Sequence, residues 1–369
     1  MRVLQVVGAL NRGGAERWLR SALPIAIQDG FQWDFLVHGT EIGAYEEDVR
    51  SLGANVVHIV EHRWTPGYRR SLAHELRTRK YDVVHSHLAF FSGYVLQIAA
   101  ECNVPVRIAH AHSTHDDRDN SLTRRSYRIL MRTLSERYST RRIACTRQAG
   151  CYLFGSGWGS ADGDEVLYCG IELAPFRAVA DSAKLRRDLN LPDAAVVLGH
   201  VGRFFPPKNH SFLIRVAAEL MKSDPAIHLL LLGEGPLRPQ IENLSQALGL
   251  QGRVHFPGNR ADVPIILRHL VDVMVFPSLN EGLPLALLEA QAAGVPSVVA
   301  ATVTKDVVVI PELMQFLDLE APLSDWTQAI RLMLTRRSFD RQVSLRVFEK
   351  SAFSLQQSTS LLKDIYLGR

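Results

Sequence analysis

The sequence predicts an α/β protein made of two doubly wound parallel-sheet domains, and three observations lead there. Short apolar runs alternate with helix-period segments almost throughout the chain, which is the pattern of parallel strands covered on both faces. The alternation restarts after a softer stretch around 170–195. The chain has 369 residues, enough for two domains at roughly 100–200 residues each. With 47% hydrophobic and 22% charged residues, the composition is that of an ordinary globular protein and excludes a disordered, collagenous or coiled-coil chain.

The elements follow in order. Segments 3–7 (VLQVV), 33–37 (WDFLV), 55–60 (NVVHIV), 82–86 (DVVHS), 106–110 (VRIAH) and 142–145 (RIAC) read as buried strands of the first sheet. Segments 196–202 (VVLGHVG), 227–233 (IHLLLLG), 254–256 (VHF), 272–276 (DVMVF) and 295–300 (VPSVVA) read as strands of the second. Residues 334–342 and 351–367 read as terminal helices. No apolar stretch reaches the ~18 residues expected of a spanning helix. The opening MRVLQVVGALNRGG reads as a strand entering a glycine loop rather than a secretion signal, because its short apolar run is interrupted by Gln5. Cys102, Cys145, Cys151 and Cys169 have neither metal nor redox spacing and suggest buried thiols in a reducing compartment. The formal net charge of +4 is too small alone to imply nucleic acid.

Open parallel sheets bind ligands beyond the carboxyl ends of their strands, so two such sheets facing across a cleft direct attention to the loops after strands. Gly13 and Gly14, in NRGGAE after the first strand, let backbone amides approach a ligand at a helix start and suit a phosphate; a tight turn is the alternative. The loop Gly202-Arg203-Phe204-Phe205-Pro206-Pro207-Lys208-Asn209 puts a guanidinium fork and a point charge at a strand end, a costly pairing unless an anion or carboxylate meets them. The segment PSLNEGLPLALLEA (277–290) is the most informative. Pro284 fits a first helical turn, so the helix should begin just after Gly282. Glu281 then lies above the helix start and Glu289 within an apolar helix, where a buried carboxylate needs donors. Two acids with a helix N-terminus between them fit ribose, diphosphate and sugar, the shape of a sugar nucleotide.

His85, His87, His110, His112 and His115 cluster at the ends of two consecutive strands. They read as packed polar residues, as a metal site, or as cleft-facing imidazoles that bond a sugar hydroxyl or move a proton; His112 lies furthest past its strand among the HxH pairs. Asp117-Arg118-Asp119 and Asp162-Gly163-Asp164 match a DxD pattern used by metal-dependent sugar transferases, but each also reads as a solvated loop or turn. No metal is expected. Between Arg124 and Arg147 stand eight arginines and one acid, Glu136. Residues 121–138 fit a helix with Arg124, Arg128 and Arg132 on one face and Tyr127, Leu130, Leu134 and Tyr138 on another. Such a basic amphipathic helix fits an anionic membrane surface or a solvated face better than nucleic acid.

Taken in order, GGAE, the GR…K loop and the Glu-x7-Glu of EGLPLALLE resemble family 4 retaining glycosyltransferases of the GT-B fold, over about residues 2–335. HSHLAFFSGYVL and RIAHAHS resemble its bacterial exopolysaccharide and capsule branch. The resemblance implies an acceptor-side domain at 1–175, with a C-terminal helix of about 352–369 packing back on it, and a donor-binding domain at 176–351. It implies that Glu289 holds the ribose and that Glu281 holds the transferred sugar, aided by Gly282 and Leu283 amides. Arg203 and Lys208 would bind the diphosphate, Gly14 would approach phosphate or acceptor, His112 would contact the donor sugar, and Gly258 to Arg260 would face the base. Gly233-Glu234-Gly235-Pro236 resembles a family cleft loop. The expected donor is a nucleotide-diphosphate sugar, UDP favoured over GDP. The expected acceptor is a saccharide or lipid-diphosphate-linked saccharide, met in the cytoplasm or at the inner face of the membrane. A sugar-nucleotide epimerase, a phosphorylase or a non-catalytic nucleotide-sugar binder would share much of this pattern; the missing GxGxxG argues against a dinucleotide oxidoreductase.

Overall fold

A computed structural model describes residues 1–114 and 121–369. His115 and the Asp117-Arg118-Asp119 motif lie outside the described residues. The chain divides into two compact units, one of Met1–Gly170 with Leu355–Arg369, the other of Ile171–Ser354.

In the first unit the order is β1 (Arg2–Val6), α1 (Gly14–Gln28), β2 (Gln32–His38), α2 (Glu46–Ser51), β3 (Asn55–Ile59), α3 (Pro66–Arg79), β4 (Val83–Ser86), α4 (Ser92–Glu101), β5 (Val106–Ala111), α5 (Leu122–Tyr138), β6 (Arg141–Ala144), α6 (Arg147–Phe154) and β7 (Asp164–Val166). In the second it is α7 (Ser182–Asp188), β8 (Val196–Val201), α8 (His210–Ser223), β9 (Ile227–Leu232), α9 (Arg238–Ala247), β10 (Val254–Gly258), α10 (Val263–His269), β11 (Val273–Phe276), α11 (Leu285–Ala292), β12 (Ser297–Ala300), β13 (Met314–Leu317), α12 (Leu323–Leu334) and α13 (Arg341–Lys350). The last helix, α14 (Leu355–Leu367), belongs to the first unit.

Both sheets are parallel and share one winding. The first has the order β3-β2-β1-β4-β5-β6-β7 and the second β10-β9-β8-β11-β12-β13. The chain winds outward in one direction from the first strand of each sheet, then in the other, so a crevice opens beside that strand. The crevice lies between β1 and β4 in the first unit and between β8 and β11 in the second. The central strands are buried on both faces: Val3, Leu4, Val83 and Val84 in one sheet, and Leu198, Val273, Met274 and Val275 in the other, are 0% exposed. This is why they read as unbroken apolar runs. Helix α14 is held by three polar links: Gln5 Nε2 donates to Tyr366 Oη at 2.9 Å, Trp18 Nε1 to Ser358 Oγ at 3.2 Å, and Lys363 Nζ to Asp29 Oδ1 at 2.7 Å.

Four expectations change. Segment 334–342 is not a helix; α12 ends at Leu334 and α13 begins at Arg341, capped by the Asp340 carboxylate, which accepts from Gln342 and Val343 N–H. Strands β7 and β13 were hidden in the sequence, because both are short edge strands without fully buried faces. Asp164 is not a free turn carboxylate. It opens β7 and takes a two-pronged bond from Arg142, at 2.7 and 2.9 Å, plus one from Gly159 N–H at 2.9 Å. Arg124, Arg128 and Arg132 of α5 are half-buried and do not form its solvent face, where Arg125 and Arg137 are exposed. Arg132 donates to the carbonyls of Leu153 and Tyr152 at the end of α6, and Arg128 lies over the Phe90 ring, whereas Leu122, Ile129 and Leu130 are exposed.

The Arg142–Asp164 pair gives a stability test. Asp164→Ala leaves a half-buried guanidinium without its carboxylate and should destabilise the first unit by about 2 kcal/mol or more. The urea midpoint should fall accordingly; an unchanged midpoint would show that the pair contributes nothing.

Candidate active site

The crevice of the second unit gathers the loops after β8 and β11. Lys208 ends the short turn Pro206–Lys208 that precedes α8. Its Nζ donates to Glu281 Oε1 at 2.6 Å and stands 5.1 Å from the centre of the Phe276 ring. The two loops are also joined through the backbone, where Leu279 N–H donates to the Pro207 carbonyl at 2.7 Å. The carboxylate that a cation at this strand end requires is therefore Glu281. Arg203 does not share it. Its side chain is exposed and stacks on the Phe205 ring at 4.0 Å.

The loop Gly233–Pro236 braces this arrangement. Phe204 N–H donates to the Glu234 carbonyl at 3.0 Å and Leu237 N–H to the Phe204 carbonyl at 3.1 Å. Gly233 has φ +143°, and a Cβ there would lie 2.1 Å from the Gly202 carbonyl oxygen, so only glycine lets the strands' ends come this close. The Glu234 carboxylate is held by Arg238.

Helix α11 begins at Leu285, with Pro284 as its extended N-cap, later than the expected start after Gly282. Gly282 and Leu283 therefore belong to the loop, and their amides are not yet part of the helix. Glu289 is 2% exposed, among Leu287, Leu288, Ala290 and Ala292. His200 Nε2, both ring nitrogens of His210 and Ser278 Oγ are buried without a hydrogen-bond partner among the described residues. Burial and the Lys208 charge push His210 down to about 4, so its ring is neutral at physiological pH. Native proteins rarely leave so many buried polar atoms together, and a ligand or ordered water at this point would meet them. At the far side of the second sheet, Gly258 closes β10 and Arg260 grips Asp262 with bonds of 2.8 and 2.7 Å, which holds the Asp262 carboxyl below its usual range.

In the first unit Gly13 caps α1 in extended conformation and Gly14 opens the helix. A Cβ on Gly13 would lie 2.1 Å from Glu16 Oε2, so the loop folds over a carboxyl that burial raises above its ordinary range. His112, just past β5, bonds through Nε2 to His87 Nδ1 at 2.8 Å, and burial lowers it to about 3. His112 also lines a cavity of about 130 Å³ with Arg63, Phe90, Phe91, Ser113, Arg124, Tyr127 and Tyr152. His85, His87 and His110 bring ligand atoms within 4.8 Å of one another. Those nitrogens are already bonded, to one another's rings and to Gln5 and Tyr366; among the described residues only His110 Nε2 has no partner. The triple is thus built as a hydrogen-bonded set of neutral rings. Glu16, Arg63, Tyr127 and Tyr152 escaped sequence reasoning. Only Glu16 carried a signal there, as the acid of GGAE.

Two parallel sheets of one winding, each with a crevice at its switch point, are the arrangement of the GT-B fold. Residues 12–174 match the family model described as Glycosyltransferase Family 4, and residues 181–341 the model described as Glycosyl transferases group 1. EpsF of Bacillus subtilis (strain 168), provisionally named a glycosyltransferase, is 30% identical over 371 residues, which span 99% of this chain and 96% of EpsF. The UDP-Gal:alpha-D-GlcNAc-diphosphoundecaprenol alpha-1,3-galactosyltransferase of Escherichia coli is 29% identical over 62% of this chain and 60% of its own length. The fold is that of Anabaena HepE, solved in complex with UDP-glucose, with a TM-score of 0.81 at 19% identity and full coverage of both chains. The chain belongs to glycosyltransferase family 4.

The histidine cluster makes stability pH-dependent. Burial lowers His85, His87, His110 and His112 in the folded chain, so below about pH 6.5 the unfolded chain binds more protons. His58, raised by Glu46, and Glu16 act in the opposite sense but are fewer. The urea midpoint should therefore fall between pH 7.5 and pH 5; a constant or rising midpoint would contradict this.

Proposed function

We propose that this glycosyltransferase moves a sugar, with retention of configuration and without a divalent metal, from a nucleotide-diphosphate sugar to a lipid-diphosphate-linked saccharide during exopolysaccharide or capsule assembly. The observation that carries this reading is the second unit's crevice, where Lys208, Glu281 and the buried Glu289 stand about the start of α11. A UDP-sugar is favoured as donor. Support comes from HepE, whose structures hold UDP and UDP-glucose, and from the E. coli relative named for UDP-Gal. The acceptor reading is supported by that relative's diphosphoundecaprenol acceptor and by the capsule role in the name of Staphylococcus aureus CapH, 20% identical over 100% of this chain.

On this reading the residues divide the work by their chemistry. Breaking the bond from the anomeric carbon to the diphosphate leaves negative charge on the departing oxygens. Lys208 and the amides of Gly282 and Leu283 meet that charge, and Arg203, exposed on the same loop as Lys208, turns from the Phe205 ring to join them; such charge stabilisation is the main electrostatic lever in this step. Glu289 accepts from ribose hydroxyls and Glu281 from hydroxyls of the transferred sugar. Lys208 is neutralised by Glu281 before donor arrives, so the cation is held in place without an unpaired charge. Gly258 and Arg260 face the base. In the first unit, Gly13 and Gly14 offer backbone to phosphate or acceptor and His112 contacts the donor sugar. The cavity beside His112 suits the acceptor, with rings of Phe91, Tyr127 and Tyr152 for sugar faces and Arg63 and Arg124 for phosphate oxygens.

No helix among the described residues is long and apolar enough to cross a membrane. The exposed face of α5, with Leu122, Ile129 and Leu130 beside Arg125, would rest on the cytoplasmic leaflet where a lipid-linked acceptor is presented.

The test incubates the full chain with UDP-glucose, UDP-galactose, UDP-GlcNAc or GDP-mannose, a short polyprenyl-diphosphate GlcNAc acceptor, and EDTA. The expected result is product of unchanged anomeric configuration from a UDP-sugar, and a loss in Lys208→Ala on the order of 10²-fold in turnover. An inverted product, a strict metal requirement, or wild-type turnover in Lys208→Ala would overturn the corresponding part of the reading. A new sugar nucleotide isomer without acceptor would instead indicate an epimerase.

A further inference from the structure

Seven side chains in the first unit form one continuous hydrogen-bonded line. In order they are Cys169, His112, His87, Gln5, Tyr366, His85 and His110. The successive separations are 3.8 Å from Cys169 Sγ to His112 Nδ1, 2.8 Å from His112 Nε2 to His87 Nδ1, and 3.0 Å from His87 Nε2 to Gln5 Oε1. They continue at 2.9 Å from Gln5 Nε2 to Tyr366 Oη, 2.8 Å from Tyr366 Oη to His85 Nδ1, and 3.1 Å from His85 Nε2 to His110 Nδ1. Gln5, His85, His110, Cys169 and Tyr366 are at most 3% exposed.

A neutral imidazole has one N–H and one lone pair, so each ring passes on whichever polarity it receives. Gln5 alone among the line's members has separate atoms that can only accept and only donate. Its Oε1 can only accept, so His87 must carry its proton on Nε2. The His87 Nδ1 is then a lone pair, His112 must carry its proton on Nε2, and His112 Nδ1 is left as an acceptor. On the other side the Gln5 amide N–H can only donate. Tyr366 Oη accepts it and gives its own proton to His85 Nδ1, so His85 donates from Nε2 to His110 Nδ1. The remaining His110 proton falls on Nε2, the one ring nitrogen of the line without a partner among the described residues. Turning the Gln5 amide over would reverse every link and convert His112 Nδ1 into a donor.

We propose that Gln5 is a positioning residue that fixes the tautomer of His112 through His87, leaving His112 Nδ1 as the acceptor for a hydroxyl of the transferred sugar. The sugar contact rests on the reading of His112 given above; the tautomer does not. His112 Nδ1 meets only the Cys169 thiol among the described residues, at a length that makes a weak bond. A hydroxyl can replace that contact, and only with the proton on Nε2 does the ring receive the hydroxyl's proton. A ring held in the opposite tautomer would face the same hydroxyl with an N–H, as when a catalytic imidazole loses the group that orients it.

Long-range ¹H–¹⁵N correlation spectra of the full chain labelled with [¹⁵N]histidine at pH 7.5 distinguish the two neutral tautomers, and His112→Asn identifies the His112 signals. The expected wild-type spectrum shows the Nε2–H form for His112, His87, His85 and His110. Gln5→Leu should remove that uniformity, with His112 moving to a mixture or to Nδ1–H. Tyr366→Phe should leave His112 unchanged, because Gln5 Oε1 still receives His87. An Nδ1–H form of His112 in the wild type, no change in Gln5→Leu, or the same change in Tyr366→Phe as in Gln5→Leu would overturn the proposal; the wild-type spectrum tests it even if a variant does not fold. KM for the donor, measured on Gln5→Leu and His112→Asn, should rise several-fold in both. If His112→Asn leaves KM and kcat at wild-type values while the spectra are as expected, the sugar contact fails and the tautomer assignment stands.

Discussion

The ion pair between Lys208 and Glu281 is the interaction on which the second unit's site depends. It exists because β8 and β11 are neighbours in the sheet although they are far apart in the chain, so the loops leaving them run side by side. A cation at the end of one buried strand is tolerable only because the loop from the other brings a carboxylate to 2.6 Å. The same winding in the first unit puts the glycine loop after β1 next to the histidines at the ends of β4 and β5. One topological rule, applied twice, thus accounts for where the polar chemistry of this chain lies.

The second consequence is that polar atoms near the ends of β8 and β11 are buried without hydrogen-bond partners among the described residues: His200 Nε2, both ring nitrogens of His210 and Ser278 Oγ. An apolar replacement at any of these positions would suit a purely structural core better. In the first unit the opposite solution appears, since Gln5, Tyr366 and the histidines satisfy one another in a line with a single orphan at its end. Both arrangements keep imidazoles uncharged, the first by burial beside a cation and the second by burial among other rings.

Most of the fold was legible because parallel strands buried on both faces leave unbroken apolar runs; VLQVV, IHLLLLG and DVMVF announce themselves. The edge strands at Asp164–Val166 and Met314–Leu317 did not, because an edge strand of three or four residues has no periodicity to detect. Pro284 fits a first helical turn by sequence but stands one step earlier, as an extended N-cap, a choice made by the loop before it. The arginine stripe of α5 misled for a different reason. Helical spacing shows which residues share a face but not which face is covered, and here Arg128 and Arg132 find a ring face and helix-end carbonyls while Ile129 and Leu130 face water. Among candidate site residues, Lys208, Glu281 and Glu289 stand out in the sequence as polar residues in apolar or glycine-rich settings. The roles of Gln5 and Tyr366 do not, because hydrogen-bond partners 361 residues apart leave no local signal.

On the proposed function, the donor's diphosphate rests at the entry to α11, beside Lys208, with sugar rings on Glu281 and Glu289. A crystal structure with intact UDP-sugar bound decides this. Diphosphate oxygens should lie within hydrogen-bonding distance of Lys208 Nζ and of the Leu283 amide, and ribose hydroxyls on the Glu289 carboxylate. A diphosphate bound away from these groups, with Glu281 still closed on Lys208 and no ligand atom near Glu289, would contradict it.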